Sequence, residues 1–403
     1  MKTAGVRIAL LAPLLCWTLA TSGEDAAPFK QAIDPLAFTF PADHASHAGY
    51  QTEWWYVTGN VTDETGCEFG FQFTIFRRAL SSKDATERGR TSAWAANDFY
   101  LLHLAISDIK ANVHADYESL ERGALGVAGA TDVSTLLKVR RKREQLEPQK
   151  NEDPSVATEP VARVWTSAAS FDRVRNGWKI KATSPRIGMD LDLKETQPFN
   201  DFVALHGKYK EEGLSRKGPL PGQASYYYSV PGLDTSGSLT LDGKKYSITA
   251  GRAWMDHEFG SNQLSAEQAG WEWFSIQLDD GWSFMFYVLR KKDGSIEPNS
   301  AGTWIDTAGC FHPLSSSEFS ATPGRVWKSP HSGAAYPVEW TLKSRQIEFN
   351  IKPAMDDQEF HSEQGAKMNY YEGAIRVSGT RDGKPVHGTG YLEITGKNLG
   401  GRM

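Results

Sequence analysis

Two acids and a histidine stand together in the run WMDHEFG, residues 254–260. A second aromatic run, GWEWF at residues 270–274, follows after a short loop. A carboxyl group buried among aromatic rings keeps its proton to a higher pH, because burial disfavours the charged form. Such an acid can protonate an alkene, and the faces of Trp and Tyr rings stabilise the carbocation that forms. These are therefore the residue types that acid-catalysed hydration of an alkene requires.

The spacing within this run predicts which side chains act together. Successive side chains of a β-strand point to opposite faces, so Trp254, Asp256 and Glu258 share one face. His257 and Phe259 share the other. The same residues also fit a structural role, in which the acids bind backbone groups or arginines and the histidine is a satisfied interface residue. Both interpretations are compatible with the sequence.

Local signatures of several other chemistries are missing from the sequence. It contains no Gly-x-Ser-x-Gly elbow, no P-loop and no Cys-x-x-Cys pair. Asp43, His44 and His47 have the composition of a metal-ligand trio. A histidine-rich loop near the N-terminus is usually solvated, so we expect no metal site there.

The elements that carry these residues have the pattern of antiparallel strands. Phe69, Phe71, Phe73 and Ile75 alternate with smaller or polar residues, which is typical of a strand with one buried face. Asp-Gly pairs at 242–243, 280–281, 293–294 and 382–383 are typical of type I′ hairpin turns. The 37 glycines and 13 tryptophans suit a twisted sheet with flat rings on its pleated faces. We therefore predict an all-β fold.

The sequence also repeats itself. EWWYVTGNV (53–61) matches EWFSIQLDD (272–280), and residues 236–256 match 378–393 through their Asp-Gly-Lys triplets. Trp165 and Trp178 match Trp327 and Trp340, and both pairs have the same offset of 162 residues. We predict two tandem antiparallel β-barrel domains, residues 24–262 and 263–403. The first copy carries an insertion whose charged part spans residues 138–160.

Residues 1–23 have the pattern of a secretory signal peptide. Lys2 and Arg7 flank the start of an apolar run that ends at Ala20 and is followed by small residues. This run contains Pro13 and is shorter than the roughly 18–20 residues of a membrane span. We expect a mature protein without a membrane span, exported across the inner membrane and periplasmic if the source is Gram-negative.

Charge and cysteine content restrict the partners of the mature chain. The net charge of −5 leaves no basic excess to neutralise phosphates, so we expect no nucleic-acid partner. Cys67 and Cys310 lie outside the predicted signal peptide and could form one disulfide, but their geometry does not follow from sequence.

Several motifs together resemble one known family. The resemblance is to the AttH-like family, often labelled predicted secreted hydrolases and related to the carotenoid 1,2-hydratases (CrtC). It covers nearly the whole mature chain and implies two lipocalin-like β-barrel domains with a cavity near their junction. For the hydratase branch it implies water addition to an isoprenoid double bond without an organic cofactor. The resemblance to the family rests on the motifs quoted above and on ASYYYS (224–229), AWMDHEFGSNQL (253–264), GWEWFSIQLDDGW (270–282), YYEGAIRVSG (370–379) and GYLEITG (390–396).

The resemblance also implies roles for individual residues. The histidine and aromatic residue of the hydratases' Asp-His-x-aromatic-Gly motif correspond to His257 and Phe259. The tyrosine of their Tyr-x-Asp pair corresponds to Tyr287, but Leu289 replaces the acid, which weakens carotenoid hydration as the specific reaction. The predicted catalytic residues are Asp256, His257, Glu258 and Tyr287, and the predicted substrate-binding residues are Trp54, Trp55, Tyr227, Trp254, Phe259, Trp271 and Trp273.

Two classes of function fit these features. In the first, the protein binds an extended apolar small molecule, such as an isoprenoid or lipid, and hydrates or hydrolyses it without a cofactor. In the second, it is a non-catalytic carrier or accessory protein of an ABC-type envelope transport system, since AttH-like proteins look like neighbours of transporter systems. The two classes differ in what happens to the ligand after binding.

The charged insertion generates a first prediction. We expect limited proteolysis to cut first between Lys138 and Pro160, because this stretch has no apolar periodicity to anchor it. Mass spectrometry of the early fragments locates the cuts. Protection of these bonds, with cleavage elsewhere, would contradict the interpretation of this stretch as a solvated loop.

Overall fold

The computed structural model describes residues 28–83, 87–138, 162–195, 202–262, 264–362 and 369–396. The predicted signal peptide and residues 139–160 of the charged insertion lie outside these ranges. A short 3-10 helix, Ala42–His44, precedes the first strand. Within the described ranges, no helix has the length and apolar character needed to cross a membrane.

The first sheet has thirteen antiparallel strands and is called the first barrel below. Its main path runs β4-β3-β2-β1-β13-β12-β9-β8-β7-β6-β5, and β10 and β11 pair with β12. The strands are β1 (Thr52–Asp63), β2 (Glu68–Ala79), β3 (Asp98–Asp108), β4 (Val113–Arg122), β5 (Gly129–Ala130), β6 (Arg163–Trp165), β7 (Ala169–Val174), β8 (Gly177–Thr183), β9 (Ile187–Glu195), β10 (Ala204–Leu205), β11 (Leu214–Arg216), β12 (Ala224–Leu241) and β13 (Lys244–Gly260).

The second sheet has ten strands and is called the second barrel. Its main path runs β17-β16-β15-β14-β25-β24-β22-β21-β18, β23 pairs with β24, and β19 and β20 form a separate ribbon. The strands are β14 (Gln268–Leu278), β15 (Ser283–Lys291), β16 (Ala301–Ile305), β17 (Phe311–Ser315), β18 (Phe319–Pro323), β19 (Val326–Lys328), β20 (Ala335–Pro337), β21 (Trp340–Ser344), β22 (Ile347–Pro353), β23 (Glu359–His361), β24 (Asn369–Arg381) and β25 (Lys384–Ile394).

Both sheets follow the same strand order. In the first barrel β1 lies between β2 and β13, and β13 pairs with β12; in the second barrel β14 lies between β15 and β25, and β25 pairs with β24. The EWW motif lies in β1 and its copy in β14, as the repeat predicts. The predicted fold class is confirmed: the chain is all-β and forms two tandem lipocalin-like antiparallel barrels.

The equal offset predicts that Trp178 matches Trp340 and that Trp165 matches Trp327 in the fold. The structure confirms the first match, and the second is wrong. Trp178 in β8 and Trp340 in β21 lie on strands with the same place in their sheets. Trp165 lies in β6, which precedes and pairs with β7. Trp327 lies in β19, which follows β18, the counterpart of β7, and pairs outside the sheet. The ribbon takes the chain out of the sheet at this point, so equal spacing does not mean equal position.

The Asp-Gly pairs form two kinds of turn. Asp242 and Asp382 have φ of 48° and 50°, and the glycine after each is also left-handed. Both turns join the paired repeat strands, β12 to β13 and β24 to β25, and agree with the predicted type I′. At 280–281 and 293–294 only the glycine has positive φ, so these two turns are not type I′ as predicted.

Each barrel has its own apolar core. Phe71 and Phe73 are fully buried in the first barrel, and Phe286 and Phe349 are fully buried in the second. A third buried cluster lies where the barrels meet. Cys67 and Cys310 are free thiols. The two sheets therefore support a separate packed layer between them.

The left-handed turn of the second barrel gives a stability prediction. We expect Gly383→Ala to lower the free energy of unfolding by about 1 kcal/mol, because a Cβ at φ 74° strains the backbone even though it would meet no atom within 4 Å. Gly383→Asn is the matched control and should lose less, since Asn adopts this conformation more readily. Urea unfolding measures both variants. Equal losses would contradict the assignment of the cost to backbone conformation.

Candidate active site at the junction of the barrels

Strand β13 presents its functional residues to two different regions. Asp256 accepts a hydrogen bond from Tyr227, which itself contacts Trp273 of the second barrel. His257, the next residue, bonds Glu53 on the opposite face of the strand. The predicted alternation of side chains along this strand is therefore confirmed, and it separates Asp256 from the adjacent histidine.

The acidic face of β13 meets the second barrel in a layer rich in aromatic residues, which we call the junction cluster. Its members come from the central strands of both barrels, and most are almost fully buried. The cluster contains Tyr56, Ala204, Tyr227, Trp254, Trp273, Met285, Tyr287, Leu289, Ile305, Ala374 and Tyr391, with Trp54, Ile109, Phe202, Leu264, Trp271, Ala301, Phe311 and Ala354 partly buried around them.

Asp256 accepts more side-chain hydrogen bonds than the other acids of this layer. The Tyr227 hydroxyl donates to Oδ2 over 2.7 Å, and the indole Nε1 of Trp254 donates to Oδ1 over 2.6 Å. The hydroxyl of Ser229 makes a third, very short contact with Oδ1. Trp273 donates to the Tyr227 oxygen over 2.9 Å, so the acid is linked to the second barrel through one phenol.

Opposing effects set the protonation of Asp256. Burial raises the pKa of its carboxyl group to about 7, although the donors Ser229, Tyr227 and Trp254 act to lower it. Burial also raises the pKa of Tyr227 well above its usual value, and the neighbouring Asp256 adds to this. Near neutral pH the acid can therefore hold or release a proton beside a phenol that stays neutral.

Glu258 and Tyr287, two other predicted catalytic residues, lie in the same layer. Oε1 of Glu258 lies 3.3 Å from the Nζ of Lys217. This ammonium group also lies 4.2 Å from the centre of the Tyr287 ring and 5.0 Å from that of Tyr227. The Tyr287 hydroxyl is 2.9 Å from that of Ser215. Lys217 thus places a positive charge against both phenols.

The second barrel contributes two more acids to the junction. Glu393 accepts a hydrogen bond from Trp271 over 2.9 Å, and burial raises the pKa of Glu393 to about 7, with Asp256 and Glu258 adding to the effect. Glu372 accepts from Tyr56 over 2.8 Å, and burial raises the pKa of Glu372 well above its usual value. These acids add proton-holding groups on the other side of the junction.

Two polar atoms in this region have no hydrogen-bond partner among the described residues. They are Oε1 of Glu372 and the hydroxyl oxygen of Tyr391, both buried. An unsatisfied buried polar atom is costly, so a water molecule or a polar group of a ligand would be favoured there. The layer therefore has unused capacity for binding a polar atom.

The junction cluster reaches the surface at one edge. Trp54, Trp271 and Glu393 are only partly buried, whereas Asp256 and Tyr227 are buried. A cleft of about 170 Å³ between the barrels is polar, and its lining includes Arg252, Arg376 and Ile109 of the junction cluster but none of the residues predicted to bind substrate. Among the predicted substrate-binding residues, Trp54 and Trp271 are the two that are partly exposed.

Three of the predicted site residues lie elsewhere. His257, Trp55 and Phe259 point into the first barrel, where the Trp55 ring stacks on His257 at 4.8 Å. The other eight lie at the junction, six of them buried and Trp54 and Trp271 at its edge. The structure thus divides the predicted catalytic group between two faces, with His257 on one and Asp256, Glu258 and Tyr287 on the other.

The expected solvated loop at Asp43, His44 and His47 is wrong. All three residues are buried, because the segment packs against the first barrel and bonds residues of β1 and β12. Burial lowers the pKa of His44 well below its usual value. Burial also acts to lower the pKa of His47, but contacts with Asp43 and Glu53 outweigh it and raise that pKa.

Sequence reasoning missed several residues of the junction. Ser229, Glu372 and Glu393 lie on three different strands and Lys217 directly follows β11, so no local motif connects these residues to Asp256. One signal was available for Glu393: it lies opposite Trp273, as Glu258 lies opposite Trp54 in the first barrel. The repeat therefore marks the two glutamates as counterparts.

Comparison with known proteins gives matches over nearly the whole chain. The model of the AttH-like family matches residues 31–397. A solved Nitrosomonas europaea protein assigned to AttH has 32% sequence identity and a TM-score of 0.72, covering 92% of this chain and 99% of that one. Kievitone hydratase from Nectria haematococca has the same fold at 16% identity, with a TM-score of 0.62 over 91% of this chain and 98% of its own.

A curated relative also matches in sequence. Kievitone hydratase from Fusarium solani subsp. phaseoli is 24% identical over 190 residues, which is 46% of this chain and 52% of the relative. The match thus spans about half the length of this curated relative.

The buried acids predict how stability depends on pH. The folded-state pKa of Asp256 and Glu393 is about 7, above the value of about 4 in an unfolded chain, so the folded protein binds more protons between these values. Stability should therefore fall as pH rises from about 4 to about 7, by up to about 1.4 kcal/mol per pH unit for each group. Asp256→Asn should reduce this slope, as urea unfolding across this range would measure. An unchanged slope would mean that Asp256 is ionised in the folded protein.

Proposed function

The chain belongs to the AttH-like family, and from this premise we propose that it is a hydratase-type enzyme that adds water to an alkene of an apolar small molecule. The proposed proton donor is Asp256, acting with Tyr227 at the junction of the barrels. The observation that carries the proposal is that burial raises the pKa of Asp256 to about 7 in a layer of aromatic rings.

The first step is transfer of a proton to carbon. Tyr227 lies between Asp256 and Trp273, 2.7 Å and 2.9 Å from their polar atoms. Tyr227 donates to the Asp256 carboxylate in the structure, and this hydrogen bond reverses when Asp256 is protonated. The acid then gives its proton to the Tyr227 oxygen as the phenol gives its own to one alkene carbon. The other alkene carbon becomes a carbocation, and Asp256 is left as a carboxylate held by the donors Ser229 and Trp254. A general acid of this kind works best when its pKa is close to the working pH.

The carbocation then needs stabilisation and a water molecule. The rings of Trp254, Trp273 and Tyr56 lie close together, with the Trp273 centre 5.3 Å from Tyr56 and 6.4 Å from Trp254. Their faces attract a cation more strongly in a desolvated layer than in water. A water molecule bonds to the cation and loses a proton, which returns through Tyr227 to Asp256. The net change is addition of one water molecule to the double bond.

Glu393 is suited to orient that water. Its pKa of about 7 lets it accept a proton, and its position near the partly exposed Trp271 places it where solvent and substrate would enter. Water could approach from this edge while the apolar part of the substrate lies against the tryptophans. We therefore assign Glu393 as the water-positioning group of the proposed reaction.

The relatives support the reaction class. Two of them are named kievitone hydratase, one matched in sequence and one in fold. Leu289, which replaces the acid of the carotenoid hydratases' Tyr-x-Asp pair, is buried in the junction cluster. In this chain the proton donor must therefore come from another strand, and Asp256 on β13 is suited to that role.

A carrier without chemistry is the second candidate. Three donors already satisfy both carboxylate oxygens of Asp256, which favours a structural role for this acid. In that case the acid would hold the barrels together and the junction would only bind an apolar ligand, in the envelope if the predicted signal peptide exports the chain. Native mass spectrometry of the purified protein tests for such a ligand, and the variants below decide between the two functions.

The proposed reaction predicts the behaviour of two variants. Incubation with apolar alkenes, beginning with geranylgeraniol in H₂¹⁸O, should give products that carry one ¹⁸O atom. Asp256→Asn should abolish the product, because an amide cannot supply the proton. Tyr227→Phe should slow its formation by about 10²- to 10⁴-fold, the usual contribution of a positioned acid. Liquid chromatography with mass spectrometry measures both rates.

A matched control separates chemistry from packing. Tyr371 is also fully buried, and its hydroxyl bonds Gln358 within the second barrel, away from Asp256. Tyr371→Phe removes an equivalent hydroxyl and should leave the rate unchanged. Wild-type rates in folded Asp256→Asn would contradict the proposed donor, and retained ligand binding with no conversion by the wild-type protein would favour the carrier.

A further inference from the structure

We propose that His47, Glu53 and His257 bind a divalent transition-metal ion of the zinc type inside the first barrel. Nδ1 of His47 and Nε2 of His257 lie 2.8 Å and 2.9 Å from the same atom, Oε1 of Glu53. The three ligand atoms lie within 4.8 Å of one another. Two imidazoles and one carboxylate form a ligand set that zinc and related ions bind in proteins. The proposal does not depend on the activity of the junction.

The three ligand atoms are close enough for a shared ion after a small local adjustment. Bonds of about 2.0–2.1 Å at the tetrahedral angle that zinc prefers place ligand atoms about 3.3 Å apart. The two distances from Oε1 of Glu53 are 2.8 Å and 2.9 Å, so each contact would lengthen by about 0.5 Å on binding. An ion would take the place of the imidazole hydrogens that otherwise point at this oxygen. Small rotations of the rings would be enough to direct both nitrogens at it.

Each of the three ligands is oriented by a further polar group. Nε2 of His47 lies 3.1 Å from Asp43, and Nδ1 of His257 lies 2.8 Å from the hydroxyl of Tyr228. The second oxygen of Glu53 accepts from Arg77 over 2.9 Å, and the backbone N–H of His47 lies 3.1 Å from Oε1 and 3.0 Å from Oε2. Metal-binding histidines almost always have such a partner on their other nitrogen.

The rings are also fixed by packing. Phe259 stacks on His47 with ring centres 3.5 Å apart and planes 9° from parallel. Trp55 stacks on His257 at 4.8 Å and 27°. The side chains of Glu53 and His257 are fully buried, so water does not compete for their ligand atoms. Packing therefore restrains both imidazole rings to small movements.

Charge balance in this region favours a dication. Arg77 pairs with both Glu53 and Asp98, and Asp43 bonds His47 nearby. When ionised, three carboxylates face one guanidinium group, and a protonated His47 leaves one negative charge uncompensated. A divalent cation that displaces the His47 proton brings the sum to zero, and uncompensated buried charge is costly.

The second barrel shows that folding does not require this arrangement. Glu272, the repeat counterpart of Glu53, also pairs with an arginine, Arg290. At the place of His257, opposite Phe274 in the sheet as His257 is opposite Trp55, stands Leu392. Gly373 replaces Tyr228 at the corresponding register. The acid–arginine pair belongs to both barrels, whereas the histidines and their partners are additions to the first.

Metal titration of the purified, tag-free protein tests the proposal. After removal of metals with a chelator, we expect the wild-type protein to bind one equivalent of Zn²⁺ in competition with a chromophoric chelator. His257→Leu should weaken binding by more than 100-fold, and it should fold because the second barrel carries leucine at the same position. Tyr228→Phe, which removes only the orienting hydroxyl, should weaken binding by about 10- to 100-fold.

The repeat supplies the matched control. Glu272→Gln alters the equivalent acid in the second barrel and should leave Zn²⁺ affinity unchanged. Absorption of the Co²⁺ form should show nitrogen and oxygen ligands in the wild-type protein and disappear in His257→Leu. Equal Zn²⁺ binding by the wild-type protein and a folded His47→Ala, His257→Leu double variant, or no binding by either, would overturn the proposal and leave the three residues as a hydrogen-bonded network.

Discussion

Asp256 is buried between two barrels whose facing surfaces are largely aromatic. Ionisation of its carboxyl group is therefore costly, because the charged form is not solvated by bulk water. Three donors offset part of that cost, and the balance leaves the pKa of Asp256 at about 7. The arrangement of the strands brings Asp256 and its donors together. Donors from β12 and β13 hold the acid, Trp273 from β14 holds Tyr227, and both Asp256 and Tyr227 are buried where the barrels meet.

Strand β13 connects the two candidate sites. Asp256 faces the junction and His257 faces the barrel interior, so adjacent residues serve different environments. Tyr227 and Tyr228 on β12 divide in the same way, one bonding Asp256 and the other His257. A proton donor between the barrels and a metal site within the first would thus share one hairpin. A change in the pairing of β12 and β13 would disturb both.

Features with a local cause were predictable from the sequence. Alternation along β13, the strand pairs of the repeat and the left-handed turns at Asp242 and Asp382 depend on neighbouring residues, and the structure agrees with them. The equivalence of Trp165 and Trp327 failed because a ribbon interrupts the second sheet. The pairing of Glu258 with Lys217 joins β13 to the residue that follows β11, 41 positions earlier in the chain, so no motif could predict it. Burial of His47 was missed because composition alone does not reveal that this segment packs against β1 and β12.

Both the proposed reaction and the pH dependence of stability require Asp256 to carry a proton near neutral pH. Infrared difference spectroscopy of the carboxylic acid C=O stretch, comparing the wild-type protein with Asp256→Asn across pH 4 to 9, measures this directly. We expect one protonated carboxyl to be missing from the variant, and we expect its signal in the wild-type protein to be lost with a midpoint near 7. A signal lost with a midpoint near 4, the ordinary range for an aspartate, would contradict it.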